Sequence, residues 1–329
     1  VLAAATLWLA SVCAGSDDLT AAVNAVRQSG LVRRLVQWEL GSLFRPTDTM
    51  GLPALLALEQ SPQLARARYD VEAAQREEPD PHAGQVYVND GANMVWLTPH
   101  ENFAVSPLRR WQFVTLEEQP HYLGSDFTAR RGIDLSVFQG DVDWDKAAAD
   151  GVEFAIIRLG YRGYGKGALQ PDELFTSHLD GAHAAGIDTG AYFFSQALTA
   201  EEGREEAQYV LEQLDGRRME MPIYFDWEPI AVEDSRTNGY DYAHLTDSAV
   251  AFCQTIEAAG YRAGVYINRQ QGYYHYDLNR LADYSLWVAD YADYPDLYYA
   301  YDVWQYEHQA RLDGVGEIVD LNLEFRPVT

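Results

Sequence analysis

Two acidic residues end a short apolar segment at residues 221–228, which reads Met-Pro-Ile-Tyr-Phe-Asp-Trp-Glu. Because successive side chains of a β-strand point to opposite faces, Tyr224, Asp226 and Glu228 would share one face, and the other face would be wholly apolar. A strand that is apolar outward and acidic inward at its C-terminal end is typical of a parallel barrel with a polar mouth. The segment therefore predicts two carboxylates that point into one cleft.

Two further acids follow the same pattern elsewhere in the chain. Asp134 lies in Gly-Ile-Asp-Leu-Ser at residues 132–136, and Asp320 lies in Glu-Ile-Val-Asp-Leu-Asn at residues 317–322. Cleavage of a glycosidic bond needs an acid that protonates the leaving oxygen and a negative group that stabilises the anomeric centre. One acid alone could merely cap a helix or a turn, but four at strand ends predict this chemistry.

The spacing also predicts a role for each acid. Residues i and i+2 of a strand lie roughly 6.5–7 Å apart at the backbone, so Asp226 and Glu228 could act on one bond. Glu228 is the predicted proton donor, because its extra methylene reaches further from the strand. Asp226 is predicted to stay ionised and either to hold a substrate acetamido group that attacks C1 or to act directly at the anomeric centre. Asp134 and Asp320 would tune this pair, since like charges in proximity raise at least one pKa.

Aromatic residues lie near the predicted strand ends, where sugar rings could stack on them. The predicted substrate-binding residues are Tyr161, Tyr192, Phe194, Tyr266, Trp287, Trp304 and Tyr306. The eight histidines show no metal-ligand spacing, and the chain has no Gly-rich phosphate loop. We therefore predict no catalytic metal and no cofactor.

The elements that would position these side chains begin near residue 131. Predicted strands are 131–136, 153–159, 188–195, 221–228, 262–267, 284–290, 302–306 and 316–321, and predicted helices are 143–150, 171–186, 199–214, 244–259 and 276–282. The alternation predicts an α/β fold, an irregular TIM-like β/α barrel with fewer helices than strands. The first and last strands of a barrel are neighbours, so Asp134 and Asp320 would lie side by side.

The N-terminal part of the chain carries weaker signals. Residues 1–16 predict the end of a signal peptide or a membrane anchor, so the protein is predicted to be secreted or attached to the cell surface. Residues 17–128 predict an accessory or spacer region, with helices at 19–44 and 51–76 and a hairpin around Asn89-Asp90-Gly91. The predicted catalytic domain then covers residues 129–329.

Charge and cysteine content limit the classes of partner. The chain has 329 residues, with 24 Lys and Arg against 50 Asp and Glu, a net charge of -26. Such a surface argues against nucleic acid and anionic membranes, while a neutral glycan polymer remains compatible. No obligate protein partner is implied. Two cysteines, Cys13 and Cys253, do not make a disulfide framework, and Cys253 is predicted to pack in the core.

The order and spacing of these segments resemble the glycoside hydrolase family 25 lysozymes, the Chalaropsis-type N-acetylmuramidases, over residues 131–325. The matching segments are GIDLS, AIIRLGY, GAYFFS, PIYFDWE, GVY, WQY and VDLN. The resemblance implies an irregular β/α barrel with a long acidic groove. It implies hydrolysis of the β-1,4 bond between N-acetylmuramic acid and N-acetylglucosamine in peptidoglycan, with Glu228 as the acid. Phe193-Phe194 departs from the family, where polar residues are frequent.

Two alternatives stay open at the level of sequence. A chitinase-like hydrolase would share the acidic strand, although Tyr224 stands where the first Asp of an Asp-x-Asp-x-Glu run belongs. A non-catalytic protein that binds cell-wall glycans on a degenerate hydrolase scaffold is the other alternative, against which all four carboxylates argue.

Overall fold

The computed structural model describes residues 81–116 and 119–328 of the chain. The predicted helices at 19–44 and 51–76, the apolar segment 1–16 and Cys13 lie outside the described residues. Gly84–Thr329 form one compact unit. The domain boundaries at residues 16 and 128 stay predictions.

Two antiparallel hairpins come first in the compact unit. They are β1 (Val86–Asn89) with β2 (Met94–Leu97), and β3 (Phe113–Leu116) with β4 (Gln119–Tyr122). The first is the hairpin predicted around Asn89-Asp90-Gly91. Its turn is held by the Asp90 carboxylate, which accepts hydrogen bonds from the backbone N–H groups of Ala92 and Asn93, both at 2.8 Å.

Nine strands follow the hairpins. In chain order they are β5 (Phe127–Leu135), β6 (Phe154–Arg162), β7 (Leu169–Pro171), β8 (Asp188–Ser195), β9 (Ile223–Trp227), β10 (Ala263–Asn268), β11 (Ser285–Ala289), β12 (Val303–Ala310) and β13 (Val319–Pro327). All except β7 form a closed barrel in the order β5-β13-β12-β11-β10-β9-β8-β6, and β6 pairs with β5 to complete the ring. The eight predicted strands are therefore present.

The last barrel strand departs from the TIM pattern. Neighbouring strands of the barrel from β5 to β12 are parallel, whereas β7, outside the ring, is antiparallel to β6. Strand β13 is antiparallel to both β12 and β5. The connection between β12 and β13 has no helix. The chain reverses direction at the mouth of the barrel, and β13 then fills the position between β12 and β5. The prediction of an irregular barrel is confirmed, but the resemblance to a TIM barrel ends at this strand.

Four α-helices pack around the barrel. They are α1 (Trp144–Ala149), α2 (Phe175–Ala184), α3 (Ala200–Leu214) and α4 (Leu245–Ala258). The helix predicted at 276–282 is instead a single 3-10 turn, Leu278–Arg280, because the Asp277 carboxylate caps it by accepting from Asn279 N–H. Asp and Asn side chains favour such local turns over helix.

The alternation of β9 separates two apolar layers. Ile223, Phe225 and Trp227 face outward into the core beneath the helices, whereas Tyr224 faces the barrel interior. Cys253 is buried on α4 in the outer layer, as predicted. Among residues 81–116 and 119–328, every helix is too short or too polar to cross a lipid bilayer.

Candidate active site

Strand β9 carries Asp226 near its end, and Glu228 follows directly after the strand. Asp226 is only 4% exposed, whereas Glu228 is half-buried at the mouth. Two buried amides hold the backbone here. Gln271 Nε2 donates to the carbonyl of Trp227 at 2.7 Å, and Gln196 Nε2 donates to the carbonyl of Glu228 at 2.6 Å. The end of the strand is therefore fixed from both sides.

Asp134 and Asp320 meet across the antiparallel pair of β5 and β13, where they are directly opposite each other. The Asp134 carboxylate also accepts hydrogen bonds from Asn322 Nδ2 and Gln305 Nε2, both at 2.8 Å. Gln305 Nε2 donates to Asp320 as well, at 3.2 Å. The prediction that Asp134 and Asp320 are neighbours is confirmed.

Burial shifts both members of this pair. It raises the pKa of Asp134 to about 6, although hydrogen bonds from Asn322, Gln305 and Asp320 act in the opposite direction. Burial, together with the charge and hydrogen bond of Asp134, raises the pKa of Asp320 to about 9. Two carboxyl groups that hydrogen-bond to each other share a proton, and burial makes this pair hold it more tightly than ordinary acids do.

The carboxyls of Asp226 and Glu228 also hold protons more tightly than ordinary acids. Burial, and then the charges of Glu228 and Asp134, raise the pKa of Asp226 well above its usual value. Burial and the charge of Asp134 raise the pKa of Glu228. The Oδ1 atom of Asp226 has no hydrogen-bond partner among the described residues, and that Asp226 stays ionised is still a prediction. The Asp134 charge acts on each of the other three acids.

Five of the seven predicted aromatic residues lie on the side of these acids. Tyr192 and Tyr266 pack edge-on against Trp287 inside the barrel, with ring centroids 5.8 and 4.6 Å apart. Trp287 is 1% exposed, so it lies beneath the site rather than on its surface. Phe194 pairs in register with Asp226 on one side and Tyr161 on the other, and both aromatic rings are half-buried.

Trp304 and Tyr306 lie on the other face of β12. Trp304 is fully buried and donates from Nε1 to the carbonyl of Asp290 at 2.7 Å. Tyr306 packs beside it, and its hydroxyl donates to Gln119 Oε1 at 2.6 Å. The structure does not bring these two rings to the acids, because β12 alternates and points Gln305, the residue between them, at the acids; their binding of substrate stays a prediction.

Several residues of the site are not among those predicted from the sequence. Gln305 and Asn322 contact the Asp134 carboxylate, and the Tyr291 hydroxyl donates to Gln305 Oε1 at 2.9 Å. The positive charge of Arg158, on β6, opposes the rise in the pKa of Asp226. Two features of the sequence could have indicated these residues. The period-two alternation of β12 points Gln305 inward, and Asn322 lies two residues after Asp320, on the same face of its strand.

Among residues 81–116 and 119–328, no group of three or more His, Cys, Asp and Glu side chains is arranged to hold a metal ion. The absence of a catalytic metal stays a prediction. The chemistry available from the described side chains is proton transfer and charge stabilisation by carboxyl groups.

A family model described as Glycosyl hydrolases family 25 matches residues 133–315, more than half of the chain. The chain belongs to glycosyl hydrolase family 25. The resemblance stated from the sequence is thereby confirmed, and the match covers Asp134, Asp226 and Glu228 but ends before Asp320.

Curated proteins match this chain at low identity. The autolytic lysozyme of Clostridium acetobutylicum is 25% identical over 194 residues, which cover 58% of this chain and 55% of that protein. Lysozyme M1 of Streptomyces globisporus is 32% identical over 85 residues, 26% of this chain and 27% of that protein. The chain thus spans about half the length of the first relative and about a quarter of the second.

Solved structures share the family 25 fold. The modular autolysin LytC from Streptococcus pneumoniae, in complex with a synthetic peptidoglycan ligand, superposes with a TM-score of 0.52 at 23% identity, covering 64% of this chain and 51% of that one. The spore cortex lytic enzyme SleM of Clostridium perfringens has a TM-score of 0.51 at 24% identity, covering 60% and 67%. At these identities the likeness shows the fold alone.

Proposed function

We propose that this family 25 chain is a peptidoglycan hydrolase that cleaves the β-1,4 bond between N-acetylmuramic acid and N-acetylglucosamine. The observation that carries the proposal is the joint placement of four carboxyls, with Asp226 and Glu228 at the end of β9 facing the Asp134–Asp320 pair. The names of the relatives, lysozyme and autolysin, support the substrate class.

Glu228 is the proposed proton donor. It lies at the mouth, where a glycosidic oxygen can reach it, and burial together with the Asp134 charge raises its pKa. A raised pKa keeps the carboxyl protonated at pH values where an ordinary glutamate is ionised, which is what a general acid in glycoside hydrolysis requires.

Asp226 is the proposed partner of the substrate. Its buried Oδ1 has no hydrogen-bond donor among the described residues, so the N–H of a substrate acetamido group would supply one. A donor at this position stabilises the ionised form and lowers the pKa. Asp226 would then orient the acetamido group for attack on C1, or act directly on the anomeric centre.

Peptidoglycan strands are the proposed binding partner, with Tyr161, Tyr192, Phe194 and Tyr266 as the proposed aromatic contacts. The net charge of -26 disfavours nucleic acid as a ligand. The proposed location is outside the cytoplasm, in the wall or at the cell surface, which a substrate in the cell wall requires and which the names of the relatives, autolysin and autolytic lysozyme, support.

The test is digestion of purified cell walls, read as new reducing ends and as fragment masses. The wild-type chain should release muropeptides with N-acetylmuramic acid at the reducing end, and Glu228→Gln should lower the rate by at least about a hundredfold, because general acid catalysis supplies roughly 10²–10⁴-fold. Glu233→Gln, an exposed neighbour in the following loop, is the matched control and should keep the full rate.

Three outcomes would contradict the proposal. Turnover of chitin oligomers without turnover of cell walls would identify a chitinase-like enzyme. Binding of walls without release of fragments would identify a non-catalytic glycan-binding protein. An unchanged rate in Glu228→Gln would remove Glu228 from the acid role, provided that the variant folds as the wild type does.

A further inference from the structure

The side chain of Gln305 has every hydrogen-bonding position of its amide occupied. It lies on β12, faces the acids and is 3% exposed. Its Nε2 donates to Asp134 Oδ2 at 2.8 Å and to Asp320 Oδ2 at 3.2 Å. Its Oε1 accepts from the hydroxyls of Tyr266 and Tyr291, both at 2.9 Å. Four elements of the barrel therefore meet at one neutral side chain.

Only one orientation of this amide fits its partners. A flip about the last torsion would place Oε1 against two carboxyl oxygens that now accept from Nε2, whereas the tyrosine hydroxyls can donate or accept and so fit either orientation. The contacts of Asp134 and Asp320 therefore hold the amide in place, and the amide in turn holds them. A neutral amide has no proton to transfer at ordinary pH, so any effect on chemistry must act through its neighbours.

We propose that Gln305 is a positioning residue that keeps Asp134 and Asp320 as a pair sharing one proton and one negative charge, and its effect on turnover rests on the proposed function. Two N–H donors pointed at the facing oxygens stabilise the single anion. A second ionisation would add a like charge in a buried place, which is unfavourable. The pair then behaves as one unit with a defined charge.

The charge of this pair reaches the proposed proton donor. Asp134 raises the pKa of Glu228 and of Asp226 by its charge, so a change in the ionisation of the pair changes the acid strength of both. Tyr291, whose side chain is about half exposed, connects Gln305 to the mouth and packs against the His308 ring in a tilted arrangement, with centroids 4.3 Å apart. The other charged or titratable groups that face the pair are Arg158 on β6, Tyr192 on β8, Asp226 and Glu228 beside β9, Tyr266 on β10 and Glu307 on β12.

Variants of Gln305 test this assignment by kinetics. Gln305→Met keeps the volume and removes all four hydrogen bonds, while Gln305→Glu keeps the shape and the tyrosine contacts but loses both donors. Gln213→Met, at an exposed position of α3, is the matched control. The kcat and KM for wall digestion are measured as a function of pH, and folding is checked by circular dichroism and thermal unfolding.

Loss of the two donors should make the pair a weaker acid. We expect Gln305→Met to lower kcat at neutral pH by about tenfold or more with KM changed less than about threefold, and to move the acid limb of the pH profile toward alkaline pH by about one unit, since a hydrogen bond to a charged group is worth about one pKa unit or more. Gln305→Glu should lose at least as much, because a third carboxyl replaces the donors. Folded Gln305→Met with the wild-type kcat and pH profile would overturn the proposal.

A measurement on the wild-type chain keeps the proposal testable where the variants fail to fold. The two side-chain amide protons of Gln305 should exchange with solvent at least about a hundredfold more slowly than those of exposed Gln213, because both are bonded in a buried place. Exchange at the rate of Gln213 would overturn the proposal. This readout needs no substrate, so a wild-type chain that fails to digest walls would reject the proposed function and leave the Gln305 network to be judged on its own.

Discussion

Asp226 and Glu228 are two residues apart but differ in their surroundings. Asp226 is enclosed in the barrel, with one carboxyl oxygen lacking a partner among the described residues, and Glu228 is half-buried at the mouth. Burial is the main cause of the raised pKa of both. The difference in access, rather than in acidity, favours Glu228 as the group that meets a leaving oxygen.

The pH dependence of the rate should report the influence of Asp134 on Glu228. Glu228 must be protonated to act as an acid, so activity is present below its raised pKa and is lost as the pH rises through it. Because the Asp134 charge contributes to that rise, Asp134→Asn should lower the pKa of Glu228 and move the alkaline limb of kcat/KM to lower pH. A profile of kcat/KM against pH on purified walls measures the shift.

The control for this experiment is Asp234→Asn, which removes an exposed acid from the loop after β9. The kcat/KM profile of this variant should have its alkaline limb at the same pH as the wild-type profile. If Asp134→Asn leaves the limb unmoved, or moves it to higher pH, the assignment of that limb to Glu228 is wrong.

At the scale of elements, β9 and β10 depend on a glycine. Gly264 pairs with Tyr224, and a methyl group at this position would lie 2.5 Å from the Tyr224 ring and 2.7 Å from the backbone oxygen of Ser285. Tyr224 is fully buried and packs on Trp287 at 5.3 Å, so its ring has little room to move. The close approach of the strands therefore requires the absence of a side chain.

We expect Gly264→Ala to lower the free energy of unfolding by about 1–3 kcal/mol, the usual range for an overpacked core. Denaturant unfolding measures the change. Gly165→Ala is the matched control, because an added methyl group there contacts nothing within 4 Å, and it should change stability by less than about 0.5 kcal/mol. Equal stability of the two variants would show that β10 can shift to accept the methyl group.

The elements that repeat a strong local pattern could be predicted from the sequence. Period-two spacing predicted strand β9, and helical spacing predicted helices α1 to α4. The position of Asp320 beside Asp134 followed from the closure of the barrel. The direction of β13 was not readable, because a strand has the same alternation in either direction. Gln305 was missed for a similar reason, since its partners Asp134 and Asp320 are 171 and 15 residues away in sequence.

At the scale of the whole molecule, the acidic site makes stability depend on pH. The pKa of Asp320 is raised to about 9 in the folded chain, against 3.8 as its ordinary value. The folded protein keeps a proton that the unfolded chain releases above about pH 4. The stabilisation from this group is therefore complete at low pH and is lost progressively as the pH rises toward 9.

The wild-type free energy of unfolding should contain a component that falls by about 1.4 kcal/mol per pH unit between pH 5 and 8, the linkage slope for one proton. Asp320→Asn should flatten the curve by that amount over the same range, because its amide does not titrate. Denaturant unfolding at several pH values measures both slopes. Asp313→Asn, an exposed acid before β13, should keep the wild-type slope, and parallel curves for wild type and Asp320→Asn would contradict the linkage.

The reversed strand β13 has one more consequence, which concerns how the barrel is joined to the rest of the chain. Because β13 is antiparallel to β5, Phe127 and Pro327 are paired in register. The polypeptide therefore enters and leaves the barrel at adjacent points, at the end opposite to the four acids. A short linker between these two points would make a circularly permuted ring with new termini elsewhere. A module grafted after Pro327 would be attached behind the cleft, where it leaves the path of a long glycan strand open.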